Sequence, residues 1–540
     1  MEGKIIKFGQ EAQGKILEGV KEAADAIGIT LGAAGKMVSL DQMVGPEITR
    51  DGATVAKAIK FKDPVKNIGA QLVKKAAELT EDQAGDGTST TSILIRELCE
   101  KGQKAIQTGS NVNEIKSGML KAEKWMVNYI KNNADPINGD LDKIRKVATI
   151  SANNDPEVGN LVVDGMKQVG VDGLITADVT AGLDTKIEIT TGMKIERGWA
   201  APQYITNPED GKCVMEDPYI LVVGEKLSTV NQVIGVMNQV ISQARPILII
   251  CDAIDDIVNT ALIVNVLRGN LRCCVIAGID FGDGRKNIMN DIAVATGATY
   301  FSPDTGLSVV DAAIEHLGVA KKVVVSRDNC IIYEGQGDAQ EISDLADVLK
   351  KRLEDPGMTD FDKTKFKKRL ANLTGGIAVI KAGGATETEK MNRKATIEDS
   401  ILASKSAIAE GCVPGGGYVY FTGAQAVKKD KAFWKSLSGD EKEGAEIVFS
   451  SLSVVLKTVV ENAGESYDLV SDKLKSQAKK KIIYNVKTKT FEEAANSEVM
   501  DSAKVLRVAL ENSISTASMI LCTDCTIVDD AGEVAEDKLV

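Results

Sequence analysis

Helical periodicity at both ends of the chain, with strand–helix alternation between them, is the pattern that most limits the fold. Ile16, Val20, Ala23, Ala24 and Ile27 recur at helical spacing, as do Val65, Ile68, Leu72, Val73, Ala76 and Leu79. The pattern returns late in the chain with Ile447, Val448, Leu452, Val455, Leu456 and Val459, and again from Val505 through Leu506, Ala509 and Leu510 to Ile520. In the middle, aliphatic runs at 219–223, 246–251, 273–277 and 322–325 alternate with amphipathic stretches at 228–243 and 254–268. That alternation indicates an α/β domain. A domain of one class set inside another makes the flanking segments partners in one discontinuous domain, and 540 residues exceed what one core organises. The expected architecture is multi-domain. An all-α domain comes from 1–133 and 410–528, and a small α/β middle domain from 134–190 and 377–409. An α/β domain with a layered sheet-and-helix core spans 191–376, and an acidic, disordered tail spans 529–540.

Composition removes several function classes. A net charge of −12 opposes nucleic-acid binding, which needs a basic face. No apolar run reaches the ~18 residues of a membrane span, and the start MEGKIIKFG carries no leader, so a cytoplasmic location is expected. The nine cysteines read as reduced thiols. Cys522 and Cys525, in an apolar run, are expected to be small buried hydrophobes in preference to zinc ligands. One histidine, His316, makes Ser-His-Asp, Cys-His and His-ligated metal chemistry improbable. It falls in DAAIEHLGVAKK, read as a helix ending at Gly318. Catalysis, if present, falls to carboxylates.

Four segments carry candidate chemistry. TLGAAGK (30–36) allows a tight turn whose backbone N–H groups can approach an anion. Gly85-Asp86-Gly87-Thr88-Ser89-Thr90-Thr91 directly precedes a helical run, so hydroxyls and free N–H groups meet at a helix N-terminus, where the dipole favours phosphate. Asp86 could hold a Mg²⁺ bridging phosphate oxygens. Pro414-Gly415-Gly416-Gly417 permits close approach of backbone, and the isolated acids Asp51 and Glu398-Asp399 could orient a water for attack on a γ-phosphate. No Walker A loop and no G-x-G-x-x-G fingerprint occurs, which leaves a metabolic dehydrogenase remote.

In this order, TLGAAGK, ITRDGATVAK (48–57), NIGAQLVKKAA (67–77), AGDGTSTTS (84–92), GGIAVIKAGGATETE (375–389), ATIEDSILA (395–403) and GCVPGGG (411–417) resemble a group I chaperonin of the GroEL type. The resemblance implies an equatorial ATP-binding domain, an intermediate hinge and an apical substrate-binding domain, corresponding to the three parts above. It implies nucleotide contacts from Thr30, Leu31, Gly32, Ala33 and Arg50, and phosphate and magnesium contacts from Asp86, Gly87, Thr88, Ser89 and Thr90. Gly416, Asn485 and Asp501 would meet the nucleotide, Asp399 would support hydrolysis and Asp51 would position the water. Potassium is a further expected ion. Departures are Ala33 for a usual proline, Arg50 for a usual lysine, and Val486-Lys487 for small alanines beside Asn485, which weakens the base contact.

The implied activity is an ATPase that captures non-native proteins and encloses them for folding. The implied partners are unfolded proteins, further copies in a ring (seven-membered, single or double) and a separate lid co-chaperonin. Client-binding positions correspond to Trp199, Tyr204, Ile234, Met237, Ile263 and Val264, with Gln203 and Asn259 polar where the family is apolar. Those polar positions leave open a ring that sequesters proteins without productive folding. Switch contacts of the family correspond to the pairs Arg197–Glu387 and Asp82–Arg327.

Overall fold

The computed structural model describes residues 4–529 except 43–44, 171–172, 209–210, 281 and 354–359. The chain opens with strand β1 (Lys4–Phe8) and helix α1 (Gly9–Gly28), then the strands β2 (Val38–Gln42) and β3 (Gly45–Thr49). Helices α2 (Gly52–Ala58), α3 (Pro64–Ala84), α4 (Thr88–Gln107), α5 (Val112–Asn133), α6 (Leu141–Ser151) and α7 (Pro156–Val169) follow. The middle contains β4 (Leu174–Val179), β5 (Lys186–Ile195), β6 (Cys213–Glu216), β7 (Tyr219–Leu227), α8 (Asn231–Ser242), β8 (Ile247–Ile254), α9 (Asp256–Leu267) and β9 (Cys273–Ala277). It continues with α10 (Gly282–Thr296), β10 (Tyr300–Phe301), β11 (Gly318–Val325), β12 (Cys330–Gly335), α11 (Ala339–Leu353), α12 (Asp360–Thr374) and β13 (Gly376–Ala382). The last part runs through α13 (Glu387–Glu410), β14 (Cys412–Pro414), α14 (Tyr418–Ala426), α15 (Lys431–Lys435), α16 (Glu441–Ser451), α17 (Ser453–Asn462) and α18 (Tyr467–Ser476). It closes with β15 (Ile482–Asn485), β16 (Thr490–Glu493), β17 (Met500–Ser502), α19 (Ala503–Leu521) and β18 (Cys525–Asp529).

These elements form two compact units, one of 1–164, 177–186 and 380–540, the other of 165–176 and 187–379. In the first unit the apolar stripes of α1, α3, α4, α5, α16 and α19 share one core, with Ile16, Val20, Val73, Ile93, Met119 and Leu510 buried in it. Glycine sets how closely two of its helix pairs approach. A Cβ on Gly19 of α1 would lie 1.9 Å from the Lys66 carbonyl oxygen of α3, and one on Gly69 of α3 would lie 2.0 Å from that of Ile16 of α1. Gly118 of α5 and Gly444 of α16 face one another's backbones in the same way, at 2.0 and 2.1 Å.

The expectation of an all-α domain needs correction, because the first unit also holds two-stranded sheets: β1–β18, β2–β3, β14–β17 and β15–β16. Their strands are three to five residues long, too short for the sequence pattern to announce them. Asp529 is likewise no part of a disordered tail, since it pairs with Lys4 at the end of β18; residues 530–540 lie outside the described residues. Cys522 and Cys525 are exposed, because the run containing them is broken between the end of α19 and the start of β18.

The second unit is built on a mixed sheet. The alternation read from sequence becomes β7-α8-β8-α9-β9, with β7, β8 and β9 parallel and β10 parallel to β7. Beyond β7 the pairing is antiparallel through β11 and β12 to β5, with β6 also on β11. Ile220–Val223 and Ile247–Cys251 are fully buried, as strands covered on both faces must be. The helix expected around His316 is absent. Ile314–His316 is a single 3₁₀ turn leading into β11, and the Ala313 N–H donates to His316 Nδ1 at 3.1 Å. A side chain at Gly318, the strand's first residue, would meet the Thr296 hydroxyl at 2.6 Å. Among the described residues no helix is long and apolar enough to cross a membrane.

Gly69→Ala is expected to destabilise the protein by about 1–3 kcal/mol, the cost of overpacking where neither backbone can retreat. A lower urea midpoint with unchanged m-value would show it; an unchanged midpoint would contradict the packing argument.

Candidate functional site

Within the first unit lies a cavity of about 360 Å³. Its lining contains Thr30, Leu31, Gly32 and Ala33; Arg50 and Asp51; Asp86, Gly87, Thr88, Ser89 and Thr90; Asp399; Gly416; and Asn485 and Asp501. The residues that the resemblance implied for nucleotide, metal and catalysis therefore border one space, whereas Glu398, the other acid read beside Asp399, is not among its lining residues.

The centre of the site is the junction of α3 and α4. Gly85 caps the end of α3 at φ +77° and Gly87 the start of α4 at φ +100°, both left-handed, so only three residues, with Asp86 in the middle, separate two long helices. Gly87 offers no side chain to cap α4, and the first helical bond at this end is from the Thr91 N–H to the Gly87 carbonyl, 2.9 Å. The N–H groups of Thr88, Ser89 and Thr90 thus precede the helical ladder at the positive end of the dipole, beside their own largely buried hydroxyls. Thr30 Oγ1 donates to the Ile27 carbonyl at 2.8 Å and lies 3.0 Å from Ser89 Oγ, which links the loop after α1 to this turn. From α2, a Cβ on Gly52 would stand 2.4 Å from Ser89 Oγ, so only glycine fits there.

Four carboxylates border the cavity, in different states. Asp51 is the N-cap of α2, and its oxygens accept from the Ala53 N–H (3.1 Å), the Thr54 N–H (2.8 Å) and the Thr54 hydroxyl (2.6 Å). Asp86 accepts from the Ser151 hydroxyl at 2.8 Å, yet burial still holds its carboxyl above the ordinary range. Asp399, on α13, is pushed well up, first by burial and then by the charges of Asp51, Asp86, Glu81 and Glu398. Asp501 accepts from the Gly416 N–H at 3.0 Å, and burial with the Asp86 charge raises it to about 7. Against these stand two lining cations, Arg50 and Arg393. Arg50 Nη2 donates to the carbonyls of Gly32 (2.9 Å) and Ala33 (2.7 Å), which pins the loop that the sequence shows as glycine-rich.

This donor set suits a magnesium ion shared with a polyphosphate. Asp86 supplies one protein carboxylate at a phosphate-binding helix end, and Mg²⁺ is commonly held by one or two carboxylates plus phosphate oxygens. The raised carboxyls also mark a space short of positive charge.

Asn485 is buried with its amide already engaged. Its Nδ2 donates to Glu492 Oε1 at 3.0 Å and its Oδ1 accepts from the N–H groups of Lys487 (3.0 Å) and Thr488 (3.4 Å). Its side chain secures the β15–β16 turn, and the residue also lines the cavity. Sequence reasoning missed Arg393, Thr396, Asn392, Ser151, Asn153 and Asn154 in the lining. Counting back from Asp399 by helical spacing reaches Thr396 and Asn392; the others follow from tertiary packing alone.

The client positions lie in the second unit. Ile234 (47% exposed) and Val264 (37%) are open, whereas Tyr204 (1%) and Met237 (6%) are buried, a correction to reading all of them as contact residues. Tyr204 donates its hydroxyl to Asn259 Oδ1 at 2.7 Å, so the polar residue at 259 satisfies a buried phenol. Trp199 and Ile263 are half-buried against the same core. Exposed Ile257 (73%) and Leu267 (69%) extend the apolar surface along α9, whose inner side buries Val258 and Leu262. Of the expected charge pairs, Asp82 and Glu387 belong to the first unit and Arg197 and Arg327 to the second. Arg197 Nε donates to the Ala277 carbonyl at 2.8 Å, and Glu387 lies 3.7 Å from Lys390.

Comparison with known proteins matches residues 23–531 to the TCP-1/cpn60 chaperonin family. The chain belongs to that family. Its fold is similar to the chaperonin gp146 from the bacteriophage EL 2 (Pseudomonas aeruginosa), at 20% identity over 97% of this chain and 99% of that one. The TM-score is 0.69 in one crystal form of gp146 and 0.62 in another, both obtained in the presence of ATP-BeFx. A chaperone role is the coarse function that membership supports.

Asp501 provides a test of the site's electrostatics in the nucleotide-free chaperonin. Its folded pKa of about 7 lies above the ordinary 3.8, so the folded state binds the proton more tightly and stability falls as pH rises between those values. Asp501→Asn removes that contribution, on the order of a few kcal/mol. Urea midpoints at pH 5 and pH 8 should converge in the variant relative to wild type; an unchanged gap would contradict the burial argument.

Proposed function

We propose that the chain is an ATP-dependent chaperone subunit that binds non-native proteins on an apolar surface and couples their release and folding to ATP binding and hydrolysis. The observation that carries this reading is the uncapped N-terminus of α4. It brings three free N–H groups and three hydroxyls into one cavity with Asp86, Asp51 and Asp399. A triphosphate would lie on those donors, and the loop 30–33 and Gly416 would approach it through backbone. Asp86 would hold Mg²⁺, which supplies neutralising charge on the phosphate oxygens. Asp399 orients the attacking water, with Asp51 beside it. The hydrogen bond from the Thr54 hydroxyl to Asp51, added to its two N–H donors, makes Asp51 the more fixed of the two. The potassium expectation rests on the resemblance alone.

Ile234, Ile257, Val264 and Leu267 offer an apolar surface to unfolded chains. The three-part division into equatorial, intermediate and apical segments follows the family plan. Nucleotide that favours one arrangement of these segments would shift the others, and only differential affinity can drive that shift. The subunit works as an ATPase in a ring, seven-membered in one or two layers, in the cytoplasm and with a separate lid co-chaperonin. The sequestering alternative loses one of its supports, because Asn259 is engaged by Tyr204 and does not mark a polar client surface.

Asp399→Ala should bind ATP within about threefold of wild type while hydrolysis falls by about 10²-fold or more, the range for loss of a positioned proton acceptor. Refolding yield of an aggregation-prone protein, with and without ATP, separates the folding machine from a holding ring. Undiminished hydrolysis in the variant, or an ATP-independent yield, would overturn the corresponding part of the proposal.

A further inference from the structure

Arg393 is a cavity residue that neither the sequence motifs nor the catalytic reading used. It stands on α13, whose residues Asn392, Thr396, Asp399 and Ala403 line the space at spacings of four, three and four. Among the described residues its guanidinium has one side-chain partner, Glu157 Oε2 at 2.7 Å, and that glutamate's side chain is 62% exposed. Its Nε is buried with no hydrogen-bond partner among the described residues. A buried guanidinium N–H is costly to leave unmet, and an exposed carboxylate is a weakly held partner. Arg50, the other lining cation, has Nη2 committed to two loop carbonyls. A polyphosphate entering a space already bordered by Asp51, Asp86, Asp399 and Asp501 needs a cation that can turn to it.

Resting on the ATP reading, we propose that Arg393 grips the terminal phosphate of the bound nucleotide, exchanging Glu157 for phosphate oxygens. The planar fork suits that exchange, since it can present two N–H groups to one phosphate. Placement on the helix that carries Asp399 ties recognition of the third phosphate to delivery of the catalytic carboxylate.

The test is calorimetric titration of the full-length protein with Mg-ADP, and with Mg-ADP plus beryllium fluoride as a terminal-phosphate mimic. Wild type, R393A, R393K and E157A are compared, with circular dichroism to confirm folding. Mg-ADP should bind all four within about threefold. The fluoride complex should weaken at least about tenfold in R393A, the scale of a lost charge-assisted pair. It should weaken by a smaller factor in R393K and hold at the wild-type value in E157A, which breaks the same ion pair but keeps the guanidinium. Equal affinity in R393A and wild type, equal loss of both ligands in R393A, or a loss in E157A matching that in R393A would each overturn the assignment. If R393A does not fold, R393K carries the test: undiminished fluoride affinity there overturns it. Failure of the wild type to bind either ligand would instead bring down the ATP reading, and this assignment with it.

Discussion

The contact on which the site depends is the one between the turn around Asp86 and helix α13. A Cβ on Gly85 would lie 2.1 Å from Leu402 Cβ, and the Ser406 hydroxyl donates to the Ala84 carbonyl at 2.7 Å. On its other side, Gly87 lies against Val505 and Ala509 of α19. The junction is therefore held between two helices, with no space for a side chain at Gly85 and a left-handed backbone in tight contact at Gly87. Asp399 is one turn before Leu402 on α13, so the contact that places the Asp86 turn also places a second carboxylate on the same cavity. Backbone packing, more than any single hydrogen bond, sets the distance between binding and chemistry.

The electrostatics follow from that packing. Bringing Asp86, Asp399 and Asp501 together in a half-closed space raises each of them, with burial the first cause in every case. Asp51, the fourth carboxylate, accepts hydrogen bonds from two N–H groups and a hydroxyl of α2. A cation held there would lower the cost of ionising the other three, and anything that binds the folded state alone stabilises it by linkage. Such sites respond to their ligand as whole structures.

Much of the second unit was legible because its signal is local. Buried strands are continuous aliphatic runs, and 219–223, 246–251 and 273–277 became the parallel strands β7, β8 and β9. The cavity residues were legible for a different reason: glycine and hydroxyl residues before a helix have few purposes, and their motifs resemble a known family. What escaped reading is what depends on distant neighbours. Tyr204 and Met237 are buried, and Asn485 is occupied by Glu492, through contacts that no spacing announces. The paired glycines of α1 and α3 look unremarkable in sequence until a backbone oxygen is found 2 Å from each missing methyl. The run around His316 has helical composition, but its tertiary setting turns it into a strand entry.

Strand β1 pairs with β18, and Lys4 forms an ion pair with Asp529, so the first unit is stitched from opposite ends of the polypeptide. During synthesis, residues 187–379 are complete while Asp399, Gly416, Asn485, Asp501 and the closing strand have yet to be made. The inserted unit can thus mature on a growing chain, whereas the cavity cannot be complete until the residues through α19 have been made. A product truncated before Asp399 would expose the apolar surface of α9 with the cavity of the first unit unbuilt.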